Sequence, residues 1–279
     1  FIVGHQMKEI NIKPLDILLE PEGRNTTPAI TVAALRALDI FKDENIDPIL
    51  LILSSDHLIK DINNFRLAIK SSIDIALKGN LIIFGVTPTY PATGYGYIKS
   101  ENQLNHGKFS ARKVDQFIEK PNEKSASHFI NDDKYSWNSG MFVFKATSII
   151  NEIKIFAPEV LNNCEQSLKK SERDLDFLRI EKDSFLNCEN ISIDISVFEK
   201  TRKAYVISLN CGWDDIGSWE SFWKNSKKDV NGNSINGRVL AQDTKDSIIR
   251  SENKLIVGLG LKNIVIIETK DAVLAANIK

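Results

Sequence analysis

No stretch of this 279-residue sequence is apolar for long enough to cross a bilayer, and no signal-peptide pattern opens it. An excess of one charge is also missing. The 36 Lys and Arg nearly balance the 37 Asp and Glu, so the chain encodes no phosphate-coating basic surface, and nucleic acid and membrane are both expected to be absent from its partners. Cysteine is scarce. Cys164, Cys188 and Cys211 lie far apart in sequence and form no Cys-x-x-Cys pair, which argues for reduced thiols in a cytoplasmic protein and against a disulfide framework or a zinc site. The familiar catalytic fingerprints are absent as well. There is no Gly-x-x-x-x-Gly-Lys-[Ser/Thr] loop, no Gly-x-Ser-x-Gly elbow and no His-x-x-x-His pair, and Gly94-x-Gly96 lacks the third glycine and following helix of a dinucleotide loop. No initiator Met precedes Phe1-Ile2-Val3-Gly4, which reads as a strand, so the sequence is expected to begin inside a fold.

What is present is an alternation of strands and helices. Ile49 to Leu53 are five consecutive large aliphatics, which reads as a strand buried on both faces of a helix-covered parallel sheet. It ends at Ser54-Ser55-Asp56. Ligands gather at the carboxyl ends of strands in such sheets, so Asp56 is either a metal-ligand candidate or a cap for the next helix. Upstream, Asp16 to Glu20 reads as a strand, and a helix follows over Ala29 to Phe41 with Thr27 as N-cap and Pro28 in its first turn. Ile62, Phe65, Ile69, Ile73, Ala76 and Leu77 mark a second amphipathic helix closed by Gly79, and Leu81 to Val86 is another buried strand. This order predicts an α/β domain, Rossmann-like, with a mostly parallel sheet flanked by helices. Val114 to Pro121 alternates and reads as a half-buried strand, with Asn122 capping a short helix, and Asn138 to Phe144 reads as a strand behind a polar loop. Residues 148–183 read as mostly helical, Ser192-Ile193-Asp194 opens a further helix, and Ala204 to Leu209 is a strand. The turn cluster at Asp229 to Asn233 marks an expected boundary between a 1–228 domain and a small β-rich 229–279 domain of evenly spaced short strands, β-helix-like and left-handed.

Seven short motifs occur in the order found in the sugar-phosphate nucleotidyltransferases, and the chain resembles that family over nearly its whole length. They are Glu20 to Thr26, Ser55-Asp56-His57, Gly94 to Ile98, Phe117 to Pro121, Asn138 to Phe142, Ser192 to Asp194 and Trp213 to Trp219. The family's N-terminal strand and Gly-rich triphosphate loop have no counterpart here. By this resemblance Asp56 and Asp215 hold Mg²⁺, a cation usually bound by one or two carboxylates plus substrate phosphates. Asp214 is adjacent, and without the resemblance the Asp214-Asp215 pair reads as a helix cap. The resemblance makes Lys120 the phosphate-binding catalytic lysine, with Glu119, Asn138 and Asp194 holding sugar hydroxyls. Gly94, Tyr95 and Gly96 would line the sugar nucleotide, and Arg24 and Asn25 would face the base or phosphates. The implied substrates are GTP and mannose 1-phosphate, exchanged for GDP-mannose and pyrophosphate; the implied cofactor is Mg²⁺, and a homodimer is admitted. Two other readings stay open: a non-catalytic sugar-nucleotide-binding homologue, motivated by the absent loop, and a glycosyltransferase using the Asp174-Leu175-Asp176 triplet.

Overall fold

The computed structural model describes residues 2–103 and 109–278. These divide into two compact units, one of residues 1–55 and 59–213, the other of residues 56–58 and 214–279. The expected boundary at 229 falls inside the second unit.

In chain order the first unit contains α1 (Ile2–Glu9), β1 (Ile17–Leu19), α2 (Thr26–Ile40), β2 (Ile49–Ile52), α3 (Ile62–Leu77), β3 (Leu81–Val86), β4 (Tyr97–Ser100) and β5 (Arg112–Ile118). It continues with α4 (Glu123–Phe129), β6 (Tyr135–Lys145), α5 (Ala146–Phe156), α6 (Pro158–Lys169), β7 (Glu172–Asp174), β8 (Phe177–Arg179), α7 (Lys182–Leu186) and β9 (Ala204–Ser208). The main sheet runs β2-β6-β3-β9-β5-β4. At its centre Leu81, Ile82, Ile83 and Phe84 of β3 are fully buried, each stabilising the fold by about 1.5–3 kcal/mol. Leu81 and Ile83 face a core shared with α2 and α5, whereas Ile82 and Phe84 face Phe65 and Ala68 of α3. Helices therefore cover both faces, as an unbroken apolar strand demands.

The sheet is mixed rather than mostly parallel. β3 runs parallel to β9, while β6 is antiparallel to β2, β3 and β4, and β5 is antiparallel to β9 and β4. β2, β3, β9 and β4 share one direction, and β6 and β5 are inserted against it.

Several local expectations need correction. Ile2 to Glu9 is a helix, not a strand, because Gln6, Met7, Lys8 and Glu9 continue the segment with good helix formers; Phe1 lies outside the described residues. β2 is the end strand of its sheet, so Leu51 and Leu53 are 38% and 48% exposed instead of doubly buried. β1 joins a separate three-stranded sheet, parallel to β8. The cap of α2 is Asn25, whose side chain accepts the Thr26 N–H at 2.9 Å, and not Thr27. In α3 the buried face is Phe65, Ala68, Ser72 and Ala76, while Ile62, Ile73 and Leu77 lie outward, so apolar spacing alone misassigned part of the stripe. The stretch 148–183 is interrupted by the β7–β8 hairpin. Asp174 ends β7 and Leu175-Asp176 form the turn, and Asp174 is tied to Arg179 at 2.7 Å, which leaves the triplet off the helix expected for it. The polar residues before Met141 are part of β6 itself.

The second unit begins at a single antiparallel bridge between Leu58 and Asp214. It holds α8 (Trp219–Asn225) and strands β10 (Ser234–Asn236), β11 (Val239–Gln242), β12 (Ile248–Ser251), β13 (Ile256–Leu259), β14 (Ile264–Glu268) and β15 (Val273–Asn277). β10, β12 and β14 stack in parallel, as do β11 and β13, so alternate short strands build successive coils of a β-helix. β15 closes the stack antiparallel to β14. Ile248, Val265 and Ile278 fill the interior against Phe222 and Trp223 of α8.

Candidate active site

The end of β5 and the middle of β6 set out three of the residues singled out in the sequence, Glu119, Lys120 and Asn138. Apolar Phe117 anchors the end of β5, and the chain then turns through Glu119 and Lys120, where Pro121 prevents further pairing. Lys120 takes a left-handed conformation at φ 45°, a cost of about 1–3 kcal/mol. On β6 the pairing with β3 slips: Ile83 pairs with Phe142 and Gly85 with Asn138, so Ser139-Gly140-Met141 bulges opposite Phe84 directly beside Asn138. The Asn138 Oδ1 accepts the Gly140 N–H at 3.0 Å, which fixes its amide so that Nδ2 donates to Asp194 Oδ1 at 2.8 Å.

Gly96 completes the group. Its carbonyl accepts the Asn138 N–H at 2.8 Å, and a Cβ placed on it would come within 2.7 Å of Glu119 Oε2 and 3.3 Å of the Asn138 Cβ. A glycine is needed there for Glu119 and Asn138 to sit so close. Gly94, by contrast, meets nothing within 4 Å. Burial pushes the Asp194 carboxyl up to about 6, and the nearby Glu119 charge adds to this while the Asn138 amide partly offsets it. Glu119 is raised for the same first reason, with Lys120, 3.7 Å away, acting against it. Glu119 and the Asn138 side chain thus crowd one glycine, with the Asp194 carboxyl bonded to the Asn138 amide and Lys120 beside Glu119.

Asp194 is placed by the start of α2. Thr26 Oγ1 accepts the Ile193 N–H at 2.9 Å, the Thr27 N–H donates to the Ile191 carbonyl at 3.2 Å, and the Thr27 and Ser196 hydroxyls lie 2.8 Å apart. The helix that Asp194 opens is a single π-type turn, Asp194–Phe198, closed by the Glu199 N–H on the Asp194 carbonyl. Such turns recur at functional sites. Glu199 was not singled out in the sequence, yet its carboxylate accepts the Glu119 N–H at 3.2 Å and so steadies the Glu119-Lys120 corner. Its only sequence signal was the Glu-Lys pair one turn beyond Asp194.

The loop before α2 carries Arg24 and Asn25. Asn25 sits at φ 65°, a conformation asparagine tolerates better than most residues. The Arg24 guanidinium reaches Glu22 at 3.6 Å, but its buried Nε has no partner among the described residues. Tyr95 packs edge-on against Trp137 and Trp213, with ring centroids 5.1 and 5.7 Å away, beside the Asn138 segment.

In the second unit the Leu58–Asp214 bridge is held by N–H to carbonyl bonds of 2.8 and 3.0 Å. Asp56 lies two residues before Leu58 and Asp215 one residue after Asp214. In an antiparallel bridge both positions lie toward the same end of the paired segments. The two neighbouring aspartates are not equivalent. Asp214 accepts the Ile216 N–H at 2.8 Å, the Asn225 amide at 2.9 Å and the Ser221 hydroxyl, so its oxygens are committed to the entrance of α8. Asp215 Oδ1 accepts the Gly217 N–H at 3.1 Å. Between them and Gly217 stands Ile216 at φ 51°, a β-branched residue in a conformation that strongly disfavours it. Apart from Asn and Asp, the described residues other than glycine with positive φ are Lys120, Leu175 and Ile216, and two of these three adjoin candidate site residues. Among the described residues no group of three or more His, Cys, Asp or Glu side chains gathers as a metal site. That excludes a preassembled protein cage there, while a cation completed by substrate phosphates needs only one or two carboxylates.

The chain matches the nucleotidyl transferase family model over residues 2–232 and the mannose-phosphate isomerase/GMP-like β-helix domain over residues 237–277. It is 41% identical over 277 residues to an Escherichia coli mannose-1-phosphate guanylyltransferase, aligning 99% of this chain but only 59% of that protein's length. The fold is similar to that of a Thermus thermophilus mannose-1-phosphate geranyltransferase (TM-score 0.77, 27% identity, 93% of this chain and 72% of that one). It is also similar to a Helicobacter pylori mannose-6-phosphate isomerase (TM-score 0.66, 34% identity, 75% of this chain and 79% of that one). With its first 232 residues matched almost end to end, the chain belongs to the nucleotidyl transferase family.

Proposed function

We propose that this chain carries the guanylyl-transfer centre of a mannose-1-phosphate guanylyltransferase, converting GTP and mannose 1-phosphate to GDP-mannose and pyrophosphate. The observation that carries the reading is the group of Glu119 and Asn138 packed against Gly96, with Asp194 bonded to the Asn138 amide: fixed donors and acceptors, partly withdrawn from water, suited to a polyol. A pocket built this way rejects an epimer that leaves one of its polar groups unpaired. The relatives' names support the sugar, since mannose phosphate is common to the guanylyltransferase and the isomerase.

In the reaction a phosphate oxygen of mannose 1-phosphate attacks the α-phosphorus of GTP, and the bond to the bridging oxygen breaks, releasing pyrophosphate. No protein nucleophile is required, so the chain contributes position and charge. Asn138 Nδ2 holds one Asp194 oxygen, leaving the other to meet a sugar hydroxyl. Glu119 accepts from a second hydroxyl. Lys120, exposed and held at a strained corner, offsets charge on the phosphates. Arg24, with an uncommitted Nε, and Asn25 face the nucleotide. Asp56 and Asp215 are the residues that would hold Mg²⁺, which when bound neutralises charge on the triphosphate. The test is pyrophosphate release from GTP by the natural full-length protein. Release that depends on mannose 1-phosphate and Mg²⁺ supports the reading, and release unaffected by Lys120→Ala or Asp215→Asn overturns it.

A further inference from the structure

Cys164 in α6 and Cys188, two residues beyond α7, are 24 positions apart in sequence, yet their sulfurs lie 3.7 Å from one another. Both are free thiols and both are buried, at 0% and 2% exposure. They pack with Val32, Val160, Ile180 and Phe185 in a core cluster beneath the first turns of α2. The Cys164 thiol also faces the Pro28 carbonyl at 3.8 Å, at the start of α2 and four residues beyond Arg24. The two sulfurs are chemically distinct. The Cys164 contact and the positive charge of Arg24 hold Cys188 below the ordinary thiol range, whereas the same contact and burial push Cys164 up. Of the two, Cys188 is the readier to ionise and Cys164 the readier to keep its proton. A disulfide needs sulfurs about 2.05 Å apart, so closure requires a movement of under about 2 Å, within reach of small side-chain rotations.

We propose that Cys164 and Cys188 are a reversible dithiol–disulfide couple, closed by a hydroperoxide, whose oxidation weakens nucleotide binding at the Arg24 loop. A peroxide of water size can enter where larger oxidants cannot. The Cys188 thiolate attacks one peroxide oxygen, the O–O bond breaks, and the departing hydroxide leaves as water with the proton of Cys164. The sulfenic acid on Cys188 is then displaced by the Cys164 thiolate, forming the S–S bond and expelling hydroxide, which leaves as a second water with a solvent proton. Two thiols are oxidised and one peroxide is reduced to two waters, the thiolate of Cys188 having given its own proton to solvent beforehand. Closure removes the S–H that Cys164 presents to the Pro28 carbonyl and draws α6 against the segment after α7, so the first turn of α2 loses a contact four residues beyond Arg24. The effect on nucleotide binding rests on the function proposed above, whereas bond formation does not.

The experiment treats the folded, pre-reduced protein with hydrogen peroxide, then maps disulfides by peptide mass and measures GTP affinity. The expected result is loss of two of the three thiols, a Cys164–Cys188 cross-linked peptide that dithiothreitol reverses, and GTP affinity weakened about tenfold until reduction. Cys164→Ser and Cys188→Ser should form no such peptide and should show no reversible affinity change. Separate, unlinked Cys164 and Cys188 peptides after peroxide treatment of wild type would overturn the couple, whatever the variants do. A cross-link with unchanged GTP affinity would overturn the regulatory effect. If the reduced protein binds no GTP at all, the function reading fails and the peptide map still decides the couple.

Discussion

Replacing Asp194 with Asn should make the protein more stable at neutral pH while impairing it as an enzyme. Asp194 is raised to about 6 from an ordinary value of 3.8, chiefly by burial. A carboxyl whose folded value lies above its unfolded value favours the fold most when protonated, below the unfolded value. That stability is lost as pH rises through the window from about 4 to 6. A gap of about 2 units at 1.36 kcal/mol each gives an upper figure of about 3 kcal/mol, and solvent screening of this partly exposed group brings it to about 1–3 kcal/mol. The Asn variant keeps an oxygen to accept from Asn138 and discards the charge. Urea melts should therefore show the variant ahead by about 1–3 kcal/mol at pH 8, with about half that advantage remaining at pH 5. Turnover with mannose 1-phosphate should fall at least about tenfold, because a carboxylate acceptor becomes a donor toward the sugar hydroxyl. A variant less stable than wild type at pH 8, or an advantage that does not change with pH, would refute the reasoning.

Other substitutions separate neighbours that look alike in sequence. Asp214→Ala strips the acceptor from Ile216, Ser221 and Asn225 and should cost about 2–4 kcal/mol in thermal or urea melts, whereas Asp215→Asn should leave stability within about 1 kcal/mol. Asp215→Asn should instead lower Mg²⁺-dependent turnover about a hundredfold, read by pyrophosphate release. Gly96→Ala brings a methyl within 2.7 Å of Glu119 Oε2, so the carboxylate must retreat; KM for the sugar phosphate should rise about tenfold at a folding cost of about 1–2 kcal/mol. Ile216→Gly relieves a left-handed β-branched residue, so stability should change by less than about 1 kcal/mol while kcat falls as Asp215 loses its fixed position.

The motifs at Glu20, Asp56 and Glu119 were legible because each follows an apolar run, where a strand stops and its side chains can turn to a ligand, whereas Asn138 lies inside β6 and Gly94 to Gly96 precede β4. Leu81 to Val86 needed no further context: an unbroken apolar run must be covered on both sides. Ile49 to Leu53 carried the same pattern, but a strand at the end of a sheet has one flank without a partner, and nothing in its own residues says which place it takes. The direction of β6 and β5 was equally hidden, since pairing direction depends on connections rather than composition. Asp214 and Asp215 could not be told apart by spacing. Their difference lies in Ser221 and Asn225, a helical turn or more further on. The strained corners at Lys120 and Ile216 left no trace, because ordinary side chains occupy them. Cys164 and Cys188 were read as distant, and only the packing of α6 against the segment after α7 brings them to 3.7 Å.

The most direct test of the account follows the products. The natural full-length protein is incubated with GTP, mannose 1-phosphate and Mg²⁺, and GDP-mannose and pyrophosphate are quantified together. The account predicts equal amounts of both from wild type, and neither above background from an Asp215→Asn protein that melts normally. GDP-mannose formation that survives in that variant, or wild type that binds GDP-mannose yet forms none, would contradict it.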